Sequence, residues 1–249
     1  MRIVFLTTDD PIYLPDFFES VLADRAAETE LVCVVPPLYK GQSRLGAAAR
    51  YLRTFGVAAF IGLASRVLRA KARGRSVETI CRRRGVASAE VLDVNADVFL
   101  DELRTLDPDV IVSVSCPQIF LKPLIDLPRF GVLNIHGAIL PHYRGVMPSF
   151  WMLANGERLA GVSIYFVNEQ IDAGDLCGQR VFEVVPDQSL DCFLRRSKRI
   201  AAELLLEVLG EMEAGPLGRT PLDLTQGSYY SWPDRAAVKR FKAAGGRVW

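Results

Sequence analysis

Four short stretches of this chain, residues 2–8, 31–35, 110–115 and 131–136, are apolar without alternation and are separated by segments of helical periodicity. A strand buried on one face alternates apolar and polar residues, whereas an unbroken apolar run is buried on both. Strands of that kind need helices on each side of the sheet. The pattern therefore predicts an open, Rossmann-like α/β fold, mostly parallel, with helices on both faces. The covering helices are expected over residues 16–27, 77–84, 96–106, 147–155 and 189–209. Residues 161–167 and 181–185, joined through Asp172-Ala-Gly174-Asp175, are expected to pair as an antiparallel extension of the sheet.

Half of the 249 residues are apolar and about a quarter are charged, which excludes a disordered or collagen-like chain. A formal net charge of +1 argues against a dedicated nucleic-acid binder. Residues 57–63, the most apolar stretch in the first seventy, are too few to span a bilayer, and the N-terminal run reads as a strand rather than a signal peptide. Five cysteines with no C-x-x-C pair point to a reducing, cytoplasmic setting. The charge is unevenly placed. Residues 40–84 carry twelve Lys/Arg, from Lys40 to Arg84, against the single acid Glu78, so a basic helical insert sits on an acidic body. Its arginines are read either as a solvated face or as a surface for a phosphate-bearing substrate, a partner protein or an anionic lipid. The expected organisation is a catalytic-type domain over residues 1–210, containing the insert, and an extension over 211–249 too short to be an independent domain.

Both histidines, His136 and His142, fall in one segment. Asn134 and His136 stand at i and i+2 of the fourth apolar run, so both side chains leave one face of a strand, at its carboxyl end, where open α/β sheets bind ligands. A second polar cluster, Asn168 to Asp175, follows the next strand and is expected to bring Asp172 to the neighbouring strand end. Amide, imidazole and carboxylate together suit acyl transfer: donors meet an oxyanion and the carboxylate steers a proton. Other chemistries have less in their favour. His136 and His142 lack the further ligands that zinc needs, so no metal is expected. Apolar neighbours make Cys116 an inert thiol rather than a nucleophile. No G-x-S-x-G elbow, dinucleotide fingerprint or Walker loop is present.

The ordered motifs Asn134-Ile-His136, Leu140-Pro141-x-x-Arg144-Gly145, Gly161-Val-Ser163 and Ile171-Asp172-x-Gly174-Asp175 resemble those of the 10-formyltetrahydrofolate-dependent formyltransferases. That family includes methionyl-tRNA, glycinamide-ribonucleotide and sugar N-formyltransferases. The resemblance implies that Asn134 and His136 polarise a formyl group and that Asp172 pairs with His136 and relays a proton. It implies that the pterin lies against Gln118, Ile119, Phe120, Leu140, Asn168 and Ile171. The implied reaction moves formyl from 10-formyltetrahydrofolate to a primary amine of a small acceptor, a nucleotide-linked amino sugar being the first expectation. The alternatives are hydrolysis of formyltetrahydrofolate and a silent folate-fold scaffold.

Overall fold

The computed structural model describes residues 1–36 and 43–249, apart from the Arg44 side chain; Lys40 of the basic insert lies outside the described residues. The chain runs β1 (Ile3–Thr8), α1 (Leu14–Arg25), β2 (Thr29–Val35), α2 (Arg44–Phe55), α3 (Val57–Ala72), α4 (Val77–Arg84), β3 (Ser88–Glu90), α5 (Asp97–Leu106) and β4 (Val110–Val114). It continues through α6 (Lys122–Ile125), β5 (Val132–His136), β6 (Arg144–Gly145), α7 (Pro148–Ala154), β7 (Leu159–Phe166), β8 (Leu176–Glu183), α8 (Leu190–Ala214), β9 (Tyr229–Tyr230) and α9 (Arg235–Ala243).

Seven strands form one sheet in the order β3-β2-β1-β4-β5-β7-β8. The pairs from β3 to β5 are parallel, while β7 is antiparallel to both β5 and β8. The expected α/β architecture and its antiparallel extension are both present. The order reverses between β1 and β4, so the switch-point crevice opens there and β5 stands one strand away.

The unalternating strands are buried on both faces, as the pattern demands. Ile3 and Phe5 face one core with Phe17, Phe18 and Leu205, whereas Val4 and Leu6 face a second with Phe99, Leu100 and Leu103. Local signals fix the helix ends. The Ser76 hydroxyl accepts the Thr79 N–H at the start of α4, and Gly85 takes the left-handed conformation at its end. Ser189 caps α8 in the same way. Besides the four-residue α6, two short strand features were not expected. β3 is three residues long and partly exposed, too brief to show a period. The second is the two-residue ladder of β6 on β9, which stitches residues after Gly210 to the segment following His136.

The basic insert is a helical hairpin docked on the body. Phe55 packs edge-on against Phe150 and Trp232, and Arg66 pairs with the buried Asp191 at 3.0 Å. Trp249 lies against Gly62 of α3, where a Cβ would stand 2.5 Å from its indole nitrogen, and its N–H donates to the Ala59 carbonyl. Residues 247 and 248 meanwhile accept the backbone N–H groups of Leu190 and Asp191 at the start of α8.

Candidate active site

At the carboxyl end of β5, Asn134 lies opposite Tyr165 and His136 opposite Ser163 of β7. The Tyr165 hydroxyl joins two of the sequence candidates: it accepts from Asn134 Nδ2 at 3.0 Å and donates to Asp172 Oδ1 at 2.8 Å. Asp172 Oδ2 accepts the Gly145 N–H at 2.7 Å, and Oδ1 lies 3.6 Å from His136 Nδ1. His136 Nε2 is 2.8 Å from the Tyr143 carbonyl oxygen. A carbonyl can only accept, so Nε2 carries a proton. His136 and Asp172 are buried, while Asn134 is half-buried with one amide hydrogen uncommitted to Tyr165. Burial and the Asp172 charge push the Tyr165 phenol well above its usual range, so it remains a donor.

The route by which Asp172 arrives differs from the expectation. Residues 168–175 were expected to leave a strand beside the exit of β5. Because β7 is antiparallel to β5, its exit lies beside the entry of β5, with Phe166 opposite Leu133. The following loop folds back to deliver the carboxylate. Gly174 makes that return possible, since a Cβ there would fall 1.7 Å from the Phe166 carbonyl oxygen. Gly145 has φ +96°, and its Cβ would meet the Tyr230 carbonyl at 2.2 Å. The Leu-Pro-x-x-Arg-Gly turn thus needs glycine where its backbone N–H reaches Asp172. Ser163 clasps the same turn: its hydroxyl accepts from Leu140 N and Gln179 Nε2 and donates to the Ala138 carbonyl.

The ligand-facing candidates divide. Ile119 is 64% exposed, and Asn168 and Ile171 are exposed on the returning loop. Asn168 borders a cleft of about 490 Å³ at the entry of β5, shared with Phe166, Val167 and Arg219. Three of the candidates use their side chains within the fold. Phe120 is 7% exposed and belongs to the second core, Leu140 is buried beneath the turn, and Gln118 uses its amide as a clasp. Gln118 Oε1 accepts from Val94 N at 2.9 Å and Nε2 donates to the Leu92 carbonyl at 2.6 Å. These side chains shape the loops: Phe120 and Leu140 are buried, and Gln118, half-buried, has its amide engaged. Burial pushes the Cys116 thiol up to about 12, in keeping with an inert group.

Sequence reasoning missed three contributors. Tyr165 sits inside an apolar run that reads as a plain core strand. The tail after Gly210 backs the site, for Ser228 Oγ accepts the Tyr143 N–H and the Tyr230 ring stacks on Tyr143 at 5.1 Å. Lys198 of α8 reaches Ser115, just beyond β4, with Nζ 2.7 Å from Oγ. Burial lowers its ammonium to about 8, against the pull of nearby Asp10.

The formyl transferase family profile matches residues 1–209. The chain belongs to this family. Among curated relatives, the methionyl-tRNA formyltransferase of Geotalea uraniireducens is 33% identical over 160 residues, covering 62% of this chain and 51% of that protein. The chain therefore spans about half the length of the curated relatives it matches. Solved structures share the formyl transferase fold at low identity. A sugar N-formyltransferase from a Shewanella species aligns with TM-score 0.58 at 19% identity, covering 93% of this chain and 77% of that one. Glycinamide ribonucleotide transformylase 1 from Symbiobacterium toebii aligns with TM-score 0.62 at 15% identity, covering 90% and 94%. Membership accounts for the order of the motifs, and the geometry above gives each motif its physical task.

Proposed function

We propose that this formyl transferase family member moves a formyl group from 10-formyltetrahydrofolate to the primary amine of a small acceptor. The observation that carries the reading is the convergence of Asn134, His136 and Asp172, tied through the Tyr165 hydroxyl. The residues present fit a formyl donor: a half-buried amide with a free hydrogen stands beside a buried imidazole and carboxylate, and Ile119 and Ile171 offer exposed aliphatic surface on the two flanking loops. When bound, the donor would supply a formyl carbonyl already at the acyl oxidation level.

The chain's own residues then have distinct tasks. Asn134 directs its uncommitted Nδ2 hydrogen at the formyl oxygen. His136 exchanges its Tyr143 partner for that same oxygen at Nε2, a tightening expected when substrate arrives at a site whose free hydrogen bonds are long or otherwise engaged. Asp172, held by Tyr165 and Gly145, orients the imidazole through Nδ1 and receives the proton lost by the attacking amine, a proton that passes to the donor's departing nitrogen as its bond to the formyl carbon breaks. Fixed donors aimed at developing negative charge are the main source of rate in such a site.

We further infer that the acceptor is a small metabolite, with a nucleotide-linked amino sugar first, and that the protein works in the cytoplasm. The Shewanella structural neighbour is a sugar N-formyltransferase, and the cysteines stay free. No helix among the described residues is long and apolar enough to cross a membrane. The test is to incubate purified protein with 10-formyltetrahydrofolate and a panel of primary amines, with a no-amine control, reading N-formyl product by mass spectrometry. Amine-dependent product supports the proposal. Formate release without amine replaces it with hydrolysis, and folate-analogue binding without turnover replaces it with a scaffold.

A further inference from the structure

The basic hairpin has two unlike sides. Toward the body its cations have partners: Arg50 lies over the Trp232 ring, Arg66 pairs with Asp191, Lys71 with Asp9 and Arg75 with Asp16. The outer side of α3 is different. Val57, Ile61 and Leu68 are 60–68% exposed. At 100° per residue they fall within about 40° of one another, and they extend about 17 Å along the helix. Arg53 precedes this stripe in sequence on α2, Arg69 stands about 80–120° around α3 from it near its far end, and Arg73 caps the helix; all three are exposed. The guanidinium contacts of Arg53 and Arg69 are with their own helices. No acid occurs between residues 43 and 77.

We propose that this face of α3 docks on an anionic phospholipid surface. Large aliphatics bracketed by arginines on a helix lying along the protein surface match the composition of an interfacial helix, with apolar groups entering the acyl boundary and cations meeting headgroup phosphates. A second copy fits less well, because a two-fold interface would set this acid-free, cationic face against itself. The stripe is a convex helix face rather than a groove, so it offers no seat for a partner's helix or strand. Its position gives the docking a use. Asp9 follows the end of β1, and its contact with Lys71 places α3 beside the carboxyl edge of the sheet, the edge that carries His136. Docking would hold the mouth of the active site near the bilayer surface.

The experiment is co-sedimentation of the full chain with vesicles of phosphatidylcholine alone or phosphatidylcholine with phosphatidylglycerol. The expected result is saturable binding to the anionic vesicles that weakens as salt rises. At about fivefold per surface cation, R53Q/R69Q/R73Q should bind about a hundredfold more weakly. I61S/L68S, with charge unchanged, should lose about tenfold or more. Melting temperature and folate-analogue binding should be those of wild type in both variants, which separates this test from the acyl-transfer reading. Equal sedimentation with and without anionic vesicles overturns the proposal, as does binding that neither variant weakens. A wild-type dimer that I61S/L68S dissolves, with no vesicle binding, also overturns it and assigns the face to a second copy.

Discussion

Tyr165→Phe isolates the contact on which the site's alignment depends. The substitution removes one buried hydroxyl and leaves the ring in place. That hydroxyl makes two hydrogen bonds, from Asn134 Nδ2 at 3.0 Å and to Asp172 Oδ1 at 2.8 Å. A hydrogen bond to a charged group contributes about 1.5–3 kcal/mol, and here its loss leaves Asp172 held by the Gly145 N–H. Losing the one hydrogen bond to the Asp172 carboxylate, with the ring left in place, is expected to destabilise the fold by roughly 2 kcal/mol, or about 4–8 °C in Tm for a domain of this size. Catalysis should suffer through alignment. If the amide and carboxylate each relax by a fraction of their contribution, kcat falls about tenfold to a hundredfold, while KM for the formyl donor changes little. Both quantities are accessible, by thermal melting and by steady-state kinetics with whichever amine proves to be the acceptor. Since Tyr165 acts in part through Asn134 and in part through Asp172, the Asn134→Ala, Tyr165→Phe double variant should lose less than the two single losses combined. Wild-type kcat in Tyr165→Phe, or fully additive losses in the double variant, would refute the idea that this hydroxyl holds the trio together.

Asn134→Ala should lower kcat by roughly a hundredfold to a thousandfold, and His136→Ala combined with Asp172→Asn should be little worse than the worse single variant, measured at saturating acceptor. Phe120→Ala should destabilise the fold by about 3–5 kcal/mol in urea titration. Ile119→Ala should stay within about 0.5 kcal/mol while weakening folate-analogue binding; equal stability losses would put both side chains in the core. Lys198 titrates near 8 when folded and about 10.4 when unfolded, so the unfolded chain holds the extra proton between those values and stability from this group rises with pH across that window. Lys198→Met should therefore be more stable than wild type below pH 8, with the advantage shrinking toward pH 10; parallel stability curves would contradict a buried ammonium.

Most of the fold was legible because burial leaves a direct mark on sequence. Residues buried on both faces of β1, β2, β4 and β5 must be apolar, and Ser76 and Gly85 mark the ends of α4 by backbone chemistry alone. Asn134 and His136 were legible for the same reason, since period two puts them on one face. The direction of β7 was half-legible. Its pairing with β8 follows from the short Asp-x-Gly connection, but its antiparallel run beside β5 is a long-range pairing with no local signature. The route of Asp172 therefore came out wrong, although its place beside His136 was expected. Tyr165 was invisible because a tyrosine in a buried strand and a tyrosine holding a carboxylate read alike. The holding roles of Gln118 and Phe120 were not legible for the converse reason: a loop that approaches a ligand must first be held, and the residues that hold it occupy the same positions in sequence.

The contact of Trp249 with Gly62 also has a bearing on how the chain reaches this state. Its indole nitrogen meets a carbonyl 190 residues earlier, so the clamp on the hairpin closes a loop nearly as long as the chain described. Contacts so distant along the chain form after local ones, because the entropy of closing the loop is offset by little until the intervening structure exists. During synthesis on the ribosome, α2 and α3 emerge long before residues 247–249 and before Asp191, the partner of Arg66. The hairpin thus spends most of translation undocked, with aliphatic and arginine side chains exposed on both its sides. It is the segment of the nascent protein most in need of a transient holder.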